Sequence, residues 1–436
     1  MKAIDLVQIA LAEAIPLAES AEVVASCEKG FSVEVHQGEV ESFHHNEGRS
    51  LSVTVYINHH QKGSATTTDF SLEAIKQSVH KAYTIAKYCA ADLFNGLADA
   101  DLMAKFLPDL RVFHEWAISP PEAIQLLIEC ESVAVKQDKR ITQSENVSLS
   151  THEIQQVYGN SHGFMGQERY MLHRLDCTLL AEQKDSKERD GEYSLALDPS
   201  KLMKPLDLAT ASVRKVVSRL GARRIKTQRC PVIFEAPIAR SLIQHFLSVI
   251  SGSRLYQRTS FLRDQLGKII FPEFISIDQR PYLEEKLGSA AFDAEGVQTK
   301  ELNFIKNGVL ENYLLDSYAA RKLQMKTTGN AGGAFNVFIE PISLTFKDLL
   351  KEMKRGLLVT EFLGQGVNLV TGDYSRGAFG YWVEQGEIQY PVHEITIAGN
   401  LKDMFQHIVA VANDIDHRSS IQCGSIWLRE MTIAGE

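Results

Sequence analysis

The hydrophobic pattern changes its period within the first 90 residues. Residues 3–18 place apolar side chains at helical spacing, which predicts an N-terminal helix. Further on the period becomes two: the runs 31–43 and 51–57 alternate apolar and polar residues, with a turn at Gln37–Gly38. Such alternation is typical of half-buried strands. We therefore predict an antiparallel meander of four short strands, followed by a helix over 71–90.

A similar plan follows between residues 119 and 221. The stretch "SPPEAIQLLIECESVAVKQD" opens with prolines, which the first turn of a helix tolerates. The runs 147–163 and 173–183 alternate like strands, and the helical stretch after them is closed by Gly221, a typical residue just past a helix end. An internal duplication of helix, strands and turn is a hypothesis that this order suggests.

The remaining chain is rich in predicted strands. Asn307–Gly308 and Gln385–Gly386 stand between alternating runs and predict two hairpins. Helical spacing fits residues 237–251, 346–355 and 400–412. We predict an α+β protein. Its N-terminal α/β domain, a helix with an antiparallel meander, covers residues 1–225. A β-rich C-terminal domain covers residues 226–436.

Charge and composition exclude several classes of partner. The net charge of −9 argues against nucleic-acid binding and against anionic membrane surfaces, because both need a basic surface. The basic run Val213–Arg229 is interpreted as a solvated helix face and linker, with a docking patch for an acidic partner as the alternative. Six scattered cysteines suit a reducing cytoplasm. No apolar run reaches the length of a membrane span.

His245 is a candidate metal ligand that its own helix does not support. A zinc-peptidase helix needs a second histidine one turn away and a glutamate beside the first. The residues four and five positions further on are Val249 and Ile250, and Gln244 and Phe246 flank His245. His-His pairs at 44–45 and 59–60 fall in predicted turns and are interpreted as solvated. We therefore expect no metal site in this chain.

Four polar residues are candidates for substrate binding. On a strand, Asp293 and Glu295 would share a face and could hold a metal or a peptide amine, whereas in a tight turn, the more frequent case, such residues bind backbone N–H groups. Asp373 and Ser375 have the same two interpretations. Cys423 is a candidate third metal ligand, and the alternative is a buried, inert thiol.

Long ordered blocks of the C-terminal half resemble a known family. "YLLDSYAARKLQMKTTGNAGG", "GQGVNLVTGDYSRGAFGYWVEQGEIQYPVHEITIAGN" and the ending "MTIAGE" are similar to the PmbA/TldD family, also called modulator of DNA gyrase. The resemblance extends to the N-terminal meander. It points to the PmbA (TldE) branch, because "SLIQHFLSVISG" stands where the TldD branch carries a His-Glu-x-x-x-His helix.

This resemblance implies a function in a complex. The chain would be the metal-free subunit of a cytoplasmic peptidase that processes or degrades unfolded peptides, and a TldD-type partner would supply the zinc. Two alternatives stay open. The chain could be a peptidase on its own through Cys423 and a histidine, or a non-enzymatic modulator of DNA gyrase. The resemblance also implies dimers, and whether the free chain forms a homodimer stays open.

Overall fold

The computed structural model describes residues 2–58 and 60–436, and its first half builds one antiparallel sheet. The strands of this N-terminal sheet are β1 (Ser20–His36), β2 (Glu39–Ile57), β3 (Gln61–Thr67), β4 (Ile141–Asn160), β5 (Met165–Gln183) and β6 (Ser186–Ala196). Their order across the sheet is β3-β2-β1-β4-β5-β6. The expected antiparallel arrangement is therefore present, and it continues through the second set of strands.

The first hairpin differs from the four short strands predicted. β2 runs unbroken for 19 residues, so two runs predicted as separate strands are one strand. His44 and His45 lie inside β2 and pair with Ser32 and Phe31 of β1, so their placement at a turn was wrong. The pairing continues through this polar segment because backbone hydrogen bonds hold a ladder together whatever the side chains are. His59 lies outside the described residues.

Helices cover one face of the N-terminal sheet. They are α1 (Ala3–Ala14), α2 (Leu72–Tyr88), α3 (Pro120–Gln137) and α4 (Pro205–Arg219). Val23 and Val53 are fully buried in one core with α1 and α2, and Cys177 and Leu179 are buried in another with α3 and α4. The order helix, three strands, helix thus occurs twice along the chain. The proposed duplication requires this order, and the duplication itself stays a prediction.

A buried carboxylate fixes the turn between β1 and β2. Gln37 and Gly38 have positive φ values of 53° and 79°, as a two-residue hairpin turn of the favoured hand requires. Glu131 of α3 accepts their backbone N–H groups at 2.8 and 2.7 Å and is only 4% exposed. Ser144 donates its hydroxyl to the same carboxylate. The tip of the first hairpin is thereby tied to a helix of the second set.

Strands dominate the C-terminal part, as predicted. They are β7 (Gln228–Phe234), β8 (Ile277–Gln279), β9 (Leu302–Lys306), β10 (Val309–Leu310), β11 (Val337–Ile339), β12 (Gly356–Leu363), β13 (Asp373–Glu384), β14 (Glu387–Asn400), β15 (Ile408–Val411), β16 (Ile421–Gln422) and β17 (Ile426–Ala434). One sheet has the order β14-β13-β12-β7-β17-β15, and β14 also pairs with β17, which closes a ring. A smaller sheet has the order β10-β9-β8-β11-β16. The hairpins predicted at Asn307–Gly308 and Gln385–Gly386 are confirmed.

Short helices complete the C-terminal part. They are α5 (Ala236–Val249), α6 (Gly252–Tyr256), α7 (Ser317–Lys322), α8 (Phe346–Met353) and α9 (Leu401–Gln406). The helix predicted over 400–412 is wrong in its second half, because Ile408, Ala410 and Val411 pair with β17 as a strand. The α+β class is confirmed. The division at residues 225 and 226 stays a prediction.

Arg219, at the end of α4, joins the two parts of the molecule. Its guanidinium donates to Asp190 of β6 at 3.0 Å and to Glu361 of β12 at 2.6 Å. It also lies 3.6 Å over the ring of Phe379, and only 8% of the residue is exposed. The interpretation of the run Val213–Arg229 as solvated is therefore wrong at this position, because opposing carboxylates draw the cation into the interface.

Replacing Glu131 by Gln tests how much its hydrogen bonds to the turn at Gln37–Gly38 stabilise the protein. The amide keeps one acceptor oxygen but turns an N–H group toward a backbone N–H, so one buried donor loses its partner. We expect the free energy of unfolding to fall by about 2–3 kcal/mol in urea denaturation. Glu129→Gln on the exposed side of α3 is the matched control and should change it by less than about 0.5 kcal/mol. Equal effects of the two substitutions would contradict this stabilisation of the turn.

Candidate functional site

The face of the N-terminal sheet opposite the helices carries a hydrogen-bonded triad. Glu22 of β1 accepts the hydroxyl hydrogens of Tyr56 on β2 at 2.9 Å and of Tyr158 on β4 at 3.0 Å. Strand alternation places these residues on the face opposite the buried valines. Burial raises the pKa of both phenols, so the hydroxyls stay protonated and keep donating to Glu22.

A tight turn of the C-terminal part faces this triad. Residues 293–296 form the tip of a small hairpin, so of the two interpretations of Asp293 and Glu295 the tight turn is the one present. Asp293 accepts the backbone N–H groups of Glu295, Val297 and Ala331 at 2.9, 3.0 and 2.9 Å. Its carboxylate therefore builds the turn, which was the alternative interpretation, and the Glu295 side chain points to the triad's cavity.

The carboxyl groups around this turn lie in an environment that disfavours their charge. Glu295 accepts the backbone N–H of Ser317 at 3.0 Å, and Asp316 caps the start of α7 by accepting the N–H of Ala319 at 2.6 Å. Burial raises the pKa of Glu295 to about 7 and the pKa of Asp293 to about 6. A cation placed beside Glu295 would reverse this shift, because it stabilises the ionised carboxylate.

The triad and the turn enclose a cavity of about 520 Å³ between the two parts of the chain. Its polar lining residues are Glu22, Ser52, Thr54, Tyr56, Lys62, Asn95, Tyr158, Glu295, Asp316 and Tyr318. Arg321 of α7 holds one wall in place by donating to the carbonyl oxygens of Phe94 and Gly96 at 3.1 Å. The size is typical of ligand pockets, and carboxylates outnumber cations in the lining. The cavity is therefore suited to a positively charged ligand.

Asp373 and Ser375 lie elsewhere, at the exposed start of β13. The Asp373 carboxylate accepts the hydroxyl of Thr371 at 2.6 Å and the side-chain amide of Asn400 at 3.2 Å. The backbone N–H of Ser375 donates to the carbonyl of Gly366 at 2.7 Å. These contacts order a surface loop, and neither residue lines the cavity around Glu295. Their role in substrate binding stays a prediction.

The surroundings of His245 do not fit a metal. Its Nε2 is buried without a hydrogen-bond partner, the ring lies edge-on to Tyr374, and burial with nearby Arg376 lowers its pKa to about 4. The position five residues earlier, which a His-Glu-x-x-x-His helix would fill with its first histidine, holds Arg240. That guanidinium bonds the hydroxyl of Tyr193 at 3.3 Å, and a cation cannot serve as a metal ligand.

Cys423 is fully buried and its thiol donates to the carbonyl oxygen of Gly424 at 3.1 Å. Burial raises the pKa of this thiol, so the thiolate that zinc requires is disfavoured. No hydrogen bond joins it to His245 among residues 2–58 and 60–436. In the same ranges, no three or more His, Cys, Asp or Glu side chains form a group that could share a metal ion. The residues present therefore do not fit zinc, and the metal-free expectation stays a prediction.

Most of the cavity residues escaped the sequence analysis. Glu22, Tyr56, Tyr158 and Tyr318 come from four separate elements, and only the fold brings them together. One signal was available for the first three, because each is a polar or amphipathic residue at the outward position of an alternating apolar strand. Polar residues at such positions usually face water, so the pattern alone could not single them out.

Three profiles of one protein family match consecutive parts of the chain. PmbA/TldA metallopeptidase domain 1 matches residues 21–86, the central domain of that family matches 113–220, and its C-terminal domain matches 227–435. Together these ranges contain every element that lines the cavity except the connecting segment around Asn95. The match therefore covers both parts of the molecule.

Known proteins are similar along the whole chain. Metalloprotease PmbA of Escherichia coli O157:H7 is 46% identical over 99% of this chain and 96% of its own length. A Bacteroides thetaiotaomicron crystal structure, described as a modulator of DNA gyrase, has a TM-score of 0.93 at 24% identity and covers 99% of this chain and 98% of its own. TldE from Thermococcus kodakarensis has a TM-score of 0.84 at 21% identity over 99% and 100%.

The two solved structures show that the fold is shared. The identity to the Escherichia coli metalloprotease shows the family as well, because it covers almost the full length of both chains at almost half of the aligned positions. The resemblance proposed from the sequence is confirmed. On these grounds the chain belongs to the PmbA/TldD metallopeptidase family, in its PmbA branch.

Proposed function

We propose that this chain is the metal-free subunit of a PmbA/TldD-type peptidase and that it holds extended, unfolded peptides while a TldD-type partner carries the zinc. One observation carries the proposal. A member of a metallopeptidase family has Arg240 and Ser241 where a zinc helix has its first histidine and glutamate, and within residues 2–58 and 60–436 no group of three or more potential metal ligands includes His245. Hydrolysis through zinc therefore requires ligands from another polypeptide.

The cavity supports a peptide as the ligand. Glu22, Glu295 and Asp316 present carboxylates to one space, where they suit a terminal ammonium group or a basic side chain. The three tyrosines in the lining give apolar surface with a polar tip, which accepts varied side chains. A chain must be extended to enter between the sheet and the C-terminal part, so folded proteins would be poor substrates.

The partner and the compartment are part of the same proposal. The neighbour named TldE shares this fold, and the TldD-type subunit is the zinc carrier that the family resemblance implies. All six cysteines are free, as a reducing cytoplasm would maintain them. None of the helices in the described ranges has both the length and the apolar character to cross a membrane.

Mixing the purified chain with a TldD-type subunit tests the proposal. We expect an unstructured peptide to be cleaved by the mixture and not by this chain with added zinc, because the side chains in the described part of the chain provide no ligand set. Mass spectrometry of the products and metal analysis of each subunit give the readouts. Cleavage by this chain alone would favour the autonomous peptidase. Association with gyrase, without any gain of proteolysis in the mixture, would favour the gyrase modulator.

Replacing Glu295 by Gln tests the charge environment of the cavity. The Glu295 carboxyl has a pKa of about 7 in the folded chain and near 4.5 in the unfolded chain. Between these two pH values the folded state keeps a proton that the unfolded state has released, so the stability of the parent falls as pH rises. The amide does not titrate. We expect the stability of the variant relative to the parent to increase by about 1–3 kcal/mol from pH 4.5 to pH 8.

Melting temperatures of both proteins across this pH range measure the effect. Glu301→Gln is the matched control, because it makes the same substitution at an exposed position. In the complex, the variant should raise KM for a peptide with a free amino terminus more than for its acetylated form. A pH-independent difference in melting temperature would contradict the burial of Glu295.

A further inference from the structure

A second cavity, of about 490 Å³, lies on the other side of the turn 293–296. It is bounded by β5 of the N-terminal sheet, by the connecting segment 107–112 and by residues 286–292 of the C-terminal part. Its apolar walls come from Leu107, Leu110, Leu172, Leu197, Phe292 and Phe335. Neither the family resemblance nor the cavity around Glu295 explains this space.

Two carboxylates line this cavity: Asp109 accepts the backbone N–H of Arg111 at 2.9 Å, and Glu168 has no partner in the part of the chain that the structure describes. Glu168 of β5 lines the cavity and makes no hydrogen bond or ion pair with the described residues, and burial raises its pKa to about 7. The cations that also line the cavity are Arg169 and Lys286. Arg169 bonds Glu153 at 2.8 Å and stacks on the ring of Phe113, and neither cation neutralises Glu168.

The same stretch of β5 has an unpaired edge. β6 pairs with β5 only from His173 onward. Met171 turns its N–H away from β4 and donates it to the carbonyl oxygen of Val112 at 3.2 Å. In an antiparallel ladder every second residue points the same way, so Arg169 and Gln167 also direct their N–H and C=O groups away from β4. No other segment pairs with these groups among the described residues.

We propose that the edge of β5 at residues 165–170 and the cavity beside it form a docking slot for an extended peptide that carries a basic side chain. The peptide backbone pairs with the free groups of Gln167 and Arg169 as an added strand. One basic side chain of the peptide enters the cavity with its methylene groups against the apolar walls, and its charged end pairs with Glu168. Strand addition supplies affinity from the main chain, and the pocket supplies side-chain preference.

The chemistry of the slot selects this occupant. Free backbone donors and acceptors in alternation match an extended chain, and the unpartnered carboxylate of Glu168 beside leucine side chains matches the ammonium and methylenes of lysine. The slot rests on the proposed function, because it assigns a residue preference to the unfolded peptides that the complex would bind.

Binding of a labelled, unstructured peptide to the isolated chain tests the slot by fluorescence anisotropy. The peptide carries one central lysine, and a second version carries norleucine there. We expect Glu168→Gln to weaken binding of the lysine peptide about tenfold and to leave the norleucine peptide unchanged. N-methylation of two alternate residues should weaken binding more than tenfold, because it removes main-chain donors and blocks strand pairing.

Glu301→Gln serves as the control and should bind both peptides as the parent does, and cooperative thermal unfolding of both variants confirms that they fold. The proposal is overturned if the parent binds neither peptide, if Glu168→Gln has no effect, or if N-methylation has none. Self-association through this edge, measured by sedimentation, would assign it to a second copy and overturn it as well. Cleavage of neutral peptides by the two-subunit mixture depends only on the proposed function, so the two failures are distinguishable.

Discussion

The arrangement of the molecule follows from the fact that the N-terminal sheet has helices on only one of its two faces. A sheet with one covered face can leave the other in water, but here that face carries Glu22, Tyr56 and Tyr158, which are largely shielded. The C-terminal part provides the shield, and the guanidinium of Arg219 anchors it to α4 and β6. The cavities around Glu295 and Glu168 lie where these layers meet.

The division of labour proposed for the peptidase follows from what these side chains can and cannot do. Zinc chemistry needs several deprotonated ligands that converge, and α5 offers one buried imidazole beside an arginine. The cavities offer the complementary property, since their carboxylates attract cationic groups. In the proposed complex this chain would contribute affinity and position, and the bond-breaking step would fall to the partner subunit.

Sequence patterns predicted the parts of this fold that local chemistry decides. The hairpins at Asn307–Gly308 and Gln385–Gly386 follow from residues that tolerate positive φ, and the lone His245 follows from spacing. The continuity of β2 could not be predicted, because a polar stretch interrupts its alternation while its backbone stays paired with β1. The burial of Arg219 and the cavity itself depend on partners distant in sequence, so no local pattern contained them.

The pairing of β1 with β4 has a mechanical consequence. The two strands share an unbroken register from Glu22 opposite Asn160 to Val35 opposite Val147, so both halves of the N-terminal sheet form one stiff plate. Flexing between the halves would break this whole ladder at once. Any widening of the space above the plate must therefore come from displacement of the C-terminal part, against latches such as Arg219. Access of a ligand to the cavities would then depend on how often contacts such as those of Arg219 break.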